Sequence, residues 1–278
     1  MAREHKQSIS LDSKEMNMKN KVVWITGASS GIGEQLAYAY SRQGVKLIIS
    51  SRNRDELFRV KNNCKTPALV HVLSLDLQTT AALADKANDA IRIFGNVDLL
   101  INCGGVSQRG LAMDTPLETE QKIMNTNFWG TVELSKGVIP TMISQGGGQV
   151  VCISSLVGKF GTPFRSAYAA SKHALHGYFD SLRSEIYKQN ISITLICPGF
   201  IKTNVAINAY TASGFAQGSS DESIENGMSP VDCAAEIVKA IAAKKEEVYI
   251  GGKEVKGVLF KRLLPARFSK YIRTAKVI

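Results

Sequence analysis

The sequence predicts an α/β fold in which a parallel sheet is buried between two layers of helices, on three observations. Short apolar runs alternate along the chain with longer helical stretches. The runs are continuously apolar rather than polar-alternating, which implies burial on both faces. The first of them stops at a glycine turn that hands directly to a helix. At 278 residues and 44% hydrophobic composition the chain can close one substantial core.

Taken in order, residues 21–26 (KVVWIT) form the first strand, Gly27 ends it, and residues 32–43 read as helix. Residues 45–50 give a second strand that leads into the charged stretch 52–61, followed by strand 68–73, helix 79–94 and strand 97–101. A long helical pattern covers 117–144 until the glycines at 146–148 break it, and 149–153 is another buried-type strand. Helix 167–189, strand 191–196, a helix opened by Pro230 over 230–243 and a last strand at 247–250 complete the series. About seven strands alternating with helices make a doubly wound (Rossmann) three-layer α/β/α sandwich. Residues 1–19 read as a polar N-terminal extension, 20–252 as a single domain, and 253–278 as a basic amphipathic tail.

The net charge of +10 is unevenly placed. Residues 253–278 hold eight basic side chains against Glu254 alone, so the tail carries +7 and the other 252 residues +3. That distribution argues against a nucleic-acid partner, which needs a basic face studded with aromatics. No stretch approaches the roughly 20 apolar residues of a membrane span, and the first twenty positions lack the apolar run of a signal peptide. A soluble, cytoplasmic protein is expected. The five cysteines (Cys64, Cys103, Cys152, Cys197, Cys233) lie far apart with no CxxC pair and read as free thiols in a reducing compartment.

Chemistry concentrates at three places. Gly27, Ser29, Ser30, Gly31, Ile32 and Gly33 lie where the first strand meets the first helix, so backbone N–H groups and the helix dipole can face a pyrophosphate. Their spacing is G-x-x-x-G-x-G rather than the usual G-x-G-x-x-G. At the end of the second strand, where an acid would select NAD, the chain reads Ser50-Ser51-Arg52-Asn53-Arg54. Arg52 there favours NADP(H) over NAD(H), because a guanidinium suits a 2′-phosphate. Tyr168 and Lys172 stand four apart on one helix face. A phenol of pKa about 10 is a poor base at neutral pH, and a neighbouring cation stabilises its phenolate, so the pair suits proton exchange with a carbonyl or alcohol. His173 and His176 follow; a spacing of three with no third ligand nearby reads as structural, and no metal site is expected.

These features together resemble the classical short-chain dehydrogenase/reductase family. The resemblance runs from about residue 21 to 250 through TGASSGIG at 26–33, NCGG at 102–105, Asn127, Ser155, YAASK at 168–172 and PG at 198–199. It implies that Ser155 bonds the substrate oxygen, Tyr168 exchanges its proton, Lys172 also holds the nicotinamide ribose, and Asn127 anchors a proton-relaying water. It further implies that Asp76 and Leu77 contact the adenine, Asn102 and Gly104 border the adenosine, and Pro198, Gly199, Ile201 and Thr203 position the nicotinamide carboxamide. The family usually reads N-N-A-G where this chain has Asn102-Cys103-Gly104-Gly105, which makes Cys103 a small residue packed beside the cofactor.

A narrower resemblance, in NCGGVSQRG, MNTNFWGTVELSK, SKHALHGYFDSLRSE and PGFIKTNV, points to the branch around dehydrogenase/reductase family member 7 and implies an apolar ketone, aldehyde or lipid-, steroid- or retinoid-like substrate. Family resemblance makes residues 206–229 a substrate lid, with Tyr210, Phe215 and Met228 as candidate pocket residues, and implies a homodimer or homotetramer. The reading is then an NADP(H)-dependent oxidoreductase interconverting a carbonyl and an alcohol. Its alternatives are a dinucleotide-binding redox sensor and a membrane-peripheral lipid-binding protein. In the tail, Val258, Leu259, Leu263, Leu264, Phe268, Tyr271 and Ile272 recur at spacings of three to four between cations, with Pro265 dividing them. Such a segment can lie on an anionic membrane, pack on a partner subunit, or cover the substrate cleft with its charges solvated.

Overall fold

The computed structural model describes residues 18–275 and opens with β1 (Val22–Thr26) leading into α1 (Gly31–Ser41). Gly27 and Gly31 adopt left-handed backbone, φ +66° and +57°, which turns the chain between them. β2 (Lys46–Ser50) and α2 (Arg54–Asn63) follow, with the Asn53 side chain capping the helix by accepting from the Glu56 N–H at 3.1 Å. After β3 (Val70–Val72), α3 (Leu83–Phe94) ends on left-handed Gly95 and the chain enters β4 (Leu99–Asn102). A short β5 (Gln108–Arg109) precedes α4 (Leu117–Met124).

The helix expected over 117–144 is interrupted. A π-helical turn at Asn125–Trp129 separates α4 from α5 (Gly130–Ser144). Such a turn takes an extra residue into the helix and shifts the face that follows. Asn127, inside it, is fully buried. β6 (Gly148–Ile153), α6 (Ser166–Glu185) and β7 (Ile191–Pro198) come next.

Residues 206–229 are ordered by pairing. β8 (Tyr210–Thr211) runs parallel to β5, α7 (Glu222–Glu225) forms one turn, and Met228 bridges to Ile201. α8 (Pro230–Ala242) starts with proline at its first turn and Ser229 as its cap, accepting from the Asp232 N–H at 3.1 Å. β9 (Glu247–Ile250) then leads to two tail helices, α9 (Lys256–Leu263) and α10 (Pro265–Ile272), with Pro265 at the start of the second.

The main sheet has seven strands in the order β3-β2-β1-β4-β6-β7-β9, all parallel. One face is covered by α1 and α8 through Leu36, Ile237 and Ile241 against Ile25, Leu47 and Ile101. The other face carries α3, α5 and α6 through Ala87, Val138 and Phe179 against Trp24, Leu100 and Val150. Burying an aliphatic or aromatic side chain of this kind is worth roughly 1.5–3 kcal/mol, so neither layer is dispensable. The doubly wound sandwich expected from the sequence is therefore the fold. Strand order reverses between β1 and β4, and there the carboxyl ends of the strands open a crevice.

Candidate functional site

A cleft of about 730 Å³ lies in that crevice. Its border includes the predicted residues Gly27, Ser29, Ser30, Gly31, Ile32, Gly33, Arg52, Asp76, Leu77, Gly104, Pro198, Gly199, Ile201 and Thr203, together with Tyr168 and Lys172. The glycines fit a dinucleotide because they remove bulk where backbones converge. A Cβ on Gly27 would stand 2.6 Å from Gly104 Cα, one on Gly31 3.0 Å from Thr203 Cγ2, and one on Gly104 would overlap Leu77. Ser30 makes no side-chain cap bond, so the first-turn N–H groups of α1 are left to face the cleft. Arg52 is exposed at one end, and no ion pair engages it among the described residues. Asp76 also holds its own turn, accepting from the Gln78 N–H at 3.0 Å.

Asn102 departs from expectation. Its side chain is buried behind the cleft floor, where Nδ2 donates to Ser135 Oγ at 3.1 Å, and it does not border the cleft. As the last residue of β4 it points into the α5 layer, because strand alternation puts Asn102 and Ile101 on opposite faces. Asn127 likewise stands behind the wall: its Nδ2 donates to Val106 O at 2.9 Å and to Ser171 Oγ at 3.0 Å, and its Oδ1 accepts from the Val106 N–H at 2.8 Å. Both amide hydrogens are used, so Asn127 fixes the Val106 loop and the Ser171 hydroxyl of α6. Burial pushes the Cys103 thiol up to about 12, in keeping with a packed small residue.

A second cavity of about 330 Å³ adjoins the first. Ser155, Tyr168, Pro198, Gly199, Val205 and Ile224 border both. Lys172 Nζ donates to Ile153 O at 2.7 Å and lies 5.8 Å from the centre of the Tyr168 ring. Ser155 lies two residues beyond β6 and caps the single turn Leu156–Gly158, its Oγ accepting from the Val157 N–H at 3.3 Å. The second cavity is mostly apolar, although Arg109, Arg165, Lys253, Glu254 and Lys256 also border it: Leu156, Val157 and Phe160 form one wall, and the tail supplies Gly257, Phe260, Phe268, Tyr271 and Ile272 as its roof. Phe268 is buried, with its ring edge-on to those of Phe160 and Phe260.

The lid residues sort differently from expectation. Tyr210 borders the larger cleft, but Phe215 is 76% exposed and Met228 packs against the sheet core beside Ile201. Pairing of Thr211 with Phe215, whose carbonyl accepts from the Thr211 N–H at 2.9 Å, turns the Phe215 side chain outward. Val205 and Ile224 contribute to the apolar cavity instead. Two polar anchors hold the wall and roof. Asp221 accepts from Arg109 and from Arg165, the latter at 3.4 Å, all three buried. Glu254 Oε1 accepts from the Phe200 N–H at 3.1 Å and the Gly252 N–H at 2.9 Å, tying the base of the tail to the Pro198–Gly199 loop. His173 Nδ1 lies 2.8 Å from Ala169 O. Among the described residues no group of three His, Cys, Asp or Glu side chains is placed to hold a metal ion.

The model of the short chain dehydrogenase family matches residues 21–214. The chain belongs to that family. Two curated relatives agree: a dehydrogenase/reductase SDR family protein 7-like of Anopheles gambiae is 41% identical over 240 residues, 84% of this chain and 76% of that protein. A dehydrogenase/reductase SDR family member 7B of Danio rerio is 39% identical over 246 residues, 85% and 79% of the two chains. Among solved structures, a short-chain dehydrogenase from Streptomyces avermitilis superposes with a TM-score of 0.76 at 26% identity, covering 92% of this chain and 97% of the other. One from Burkholderia phymatum, in complex with NAD, gives 0.80 at 21% identity over 95% and 99%. Short-chain dehydrogenases are oxidoreductases that bind a nicotinamide dinucleotide and act on small molecules. The family match covers Ser155, Tyr168, Lys172 and the cleft's border except Ala216 and Ile224; the tail helices lie beyond it.

Proposed function

We propose that the protein is an NADP(H)-dependent oxidoreductase that interconverts a carbonyl and an alcohol on an apolar substrate, with Tyr168 as general acid and base. The observation that carries this reading is the shared border: Ser155 and Tyr168 stand where the dinucleotide cleft meets the apolar cavity. A substrate carbonyl entering from the second cavity meets both hydroxyls at that border. The bound nicotinamide supplies or accepts the hydride. Ser155 Oγ orients the substrate oxygen, and Tyr168 Oη gives it a proton in reduction and removes one in oxidation. Lys172, fixed by Ile153 O, keeps a positive charge beside the phenol as negative charge develops there. Asn127 positions these groups through the Val106 loop and Ser171.

Arg52 is the residue proposed to select NADP(H), by bidentate bonding to the 2′-phosphate. The apolar lining of the second cavity supports a ketone, aldehyde or lipid-, steroid- or retinoid-like substrate. A homodimer or homotetramer in the cytoplasm, with the tail making peripheral membrane contact, completes the proposal. Tyr168→Phe tests it: turnover of NADPH against a panel of carbonyl compounds should fall at least about 100-fold, the range ascribed to a general acid, while NADPH binding stays within twofold. Activity retained in the variant overturns the assignment. An intact protein that binds NADPH and turns over none of the panel favours the redox-sensor reading.

A further inference from the structure

Ser154 and His176 are buried beneath the reacting residues, and the half-buried Glu247 lies beside them. Ser154 Oγ lies 3.1 Å from His176 Nε2, and His176 Nδ1 lies 3.2 Å from Glu247 Oε2. Glu247 also accepts from Lys159 Nζ at 2.6 Å and from the Tyr249 hydroxyl. Serine, imidazole and carboxylate in this order suggest a nucleophile with its base. Space rules that out. Ser154 is 3% exposed, its Oγ lies 3.2 Å from Lys172 O, and a methyl group on Gly158 would sit 2.6 Å from it, so no acyl group can reach the hydroxyl.

The three residues control position instead. Ser154 stands between Ile153, whose carbonyl holds the Lys172 ammonium, and Ser155. Its N–H donates to Ile196 O at 2.7 Å, and its hydroxyl meets both the Lys172 carbonyl and His176, one turn further along α6. His176 is reached from every side: Glu247 and Lys159 face Nδ1, Cys197 Sγ lies 3.7 Å from Nε2, and Asp180 and His173 act on it from its own helix. Burial, helped by the Lys159 charge, pushes His176 down to about 4, so the ring is neutral near pH 7. Ser154 has one hydroxyl proton, for which the Lys172 carbonyl and a neutral His176 Nε2 are both within reach; Nδ1 makes no hydrogen bond, so Glu247 acts on the ring through its charge.

We infer that Ser154, His176 and Glu247 are a positioning network that holds Ser155 and the Lys172 ammonium in register across β6, α6 and β9. This rests on the reading of Ser155, Tyr168 and Lys172 as the reacting residues. The test compares His176→Phe, His176→Gln, Ser154→Ala and Tyr168→Phe in steady-state kinetics with NADPH and in direct NADPH titration. His176→Phe should lose about tenfold or more in kcat, with KM and NADPH affinity within twofold, because small displacements of reacting groups are costly. His176→Gln, whose amide can still accept from Ser154, should recover most of that loss. Ser154→Ala should cost a similar factor, and the double variant Ser154→Ala/His176→Phe no more than either alone. The inference is overturned if Ser154→Ala and His176→Phe turn over as wild type, if their losses multiply, or if glutamine rescues nothing. Should His176→Phe not fold, Ser154→Ala against His176→Gln decides alone: unchanged kcat in Ser154→Ala overturns the network. Activity retained by Tyr168→Phe would instead strike the reading of the reacting residues, so the two failures are separable.

Discussion

At the scale of single residues, Arg52 and His176 lead to opposite kinds of measurement. Arg52 is solvent-exposed and touches the cleft only at its rim, so Arg52→Ala should leave stability alone and weaken NADPH at least about tenfold while changing NADH less than twofold, the loss of one charge-assisted contact. Equal weakening of both would show that Arg52 does not read the 2′-phosphate. His176 acts through stability. Its folded pKa lies at about 4 against an ordinary 6.5, so the unfolded chain takes up a proton that the folded one refuses. The native state thus loses stability as pH falls through 6.5, by up to about 3 kcal/mol near pH 4. Urea unfolding of His176→Gln should show a flatter pH dependence over that window, and an unchanged slope would refute the assignment. The motif residues were legible in the sequence because their chemistry needs neighbours: a glycine turn, and a tyrosine and lysine one helical turn apart. Glu247, Asp221 and Glu254 were not, because their partners are remote; Asp221 meets Arg109 across 112 positions. The direction of Asn102 was equally hidden, since a strand-terminal side chain can face either layer.

At the scale of elements, the wall formed by residues 206–229 depends on one carboxylate. Burial raises the Asp221 carboxyl, but hydrogen bonds from Arg109 and Gln217 outweigh it and hold it below its ordinary value. The ion pair therefore contributes stability above the unfolded pKa of about 4 and loses it as pH falls through the lower folded value. Asp221→Ala leaves the buried Arg109 guanidinium without its carboxylate, which typically costs 3–5 kcal/mol. The expected result is a lower melting temperature and faster chymotryptic cleavage at Phe215; wild-type resistance would mean that β5–β8 pairing suffices to hold the wall. The seven main strands were readable because burial on both faces gives continuous apolar runs. The two-residue strands β5 and β8 have no period to read. The π-helical turn was hidden within an unbroken helical pattern, since an extra residue leaves composition unchanged.

At the scale of the whole molecule, the tail has two faces with different consequences. Its inner face roofs the apolar cavity, as one of the readings of the sequence held. Its outer face shows Leu259 and Leu263 at 60% and 65% exposure among Lys261, Arg262 and Arg267. A second copy docking there would bring like charge against like charge, whereas an anionic bilayer would neutralise it. Among the described residues no helix is long and apolar enough to cross a membrane. The full chain should therefore sediment with vesicles of phosphatidylcholine and phosphatidylserine, more weakly as salt rises. Leu259→Glu/Leu263→Glu should lose at least about fivefold in binding while keeping turnover of a water-soluble carbonyl. No binding by the wild-type chain would end the membrane reading.

The Glu254 clamp has a consequence for how the site is assembled on the ribosome. Everything that cradles the dinucleotide, from Gly27 to Thr203, leaves the exit tunnel before Glu254 and Phe268, which close the apolar cavity. Glu254 also fixes the Pro198–Gly199 loop that borders both cavities, so that loop is the last part of the cleft's border to be secured as the chain emerges.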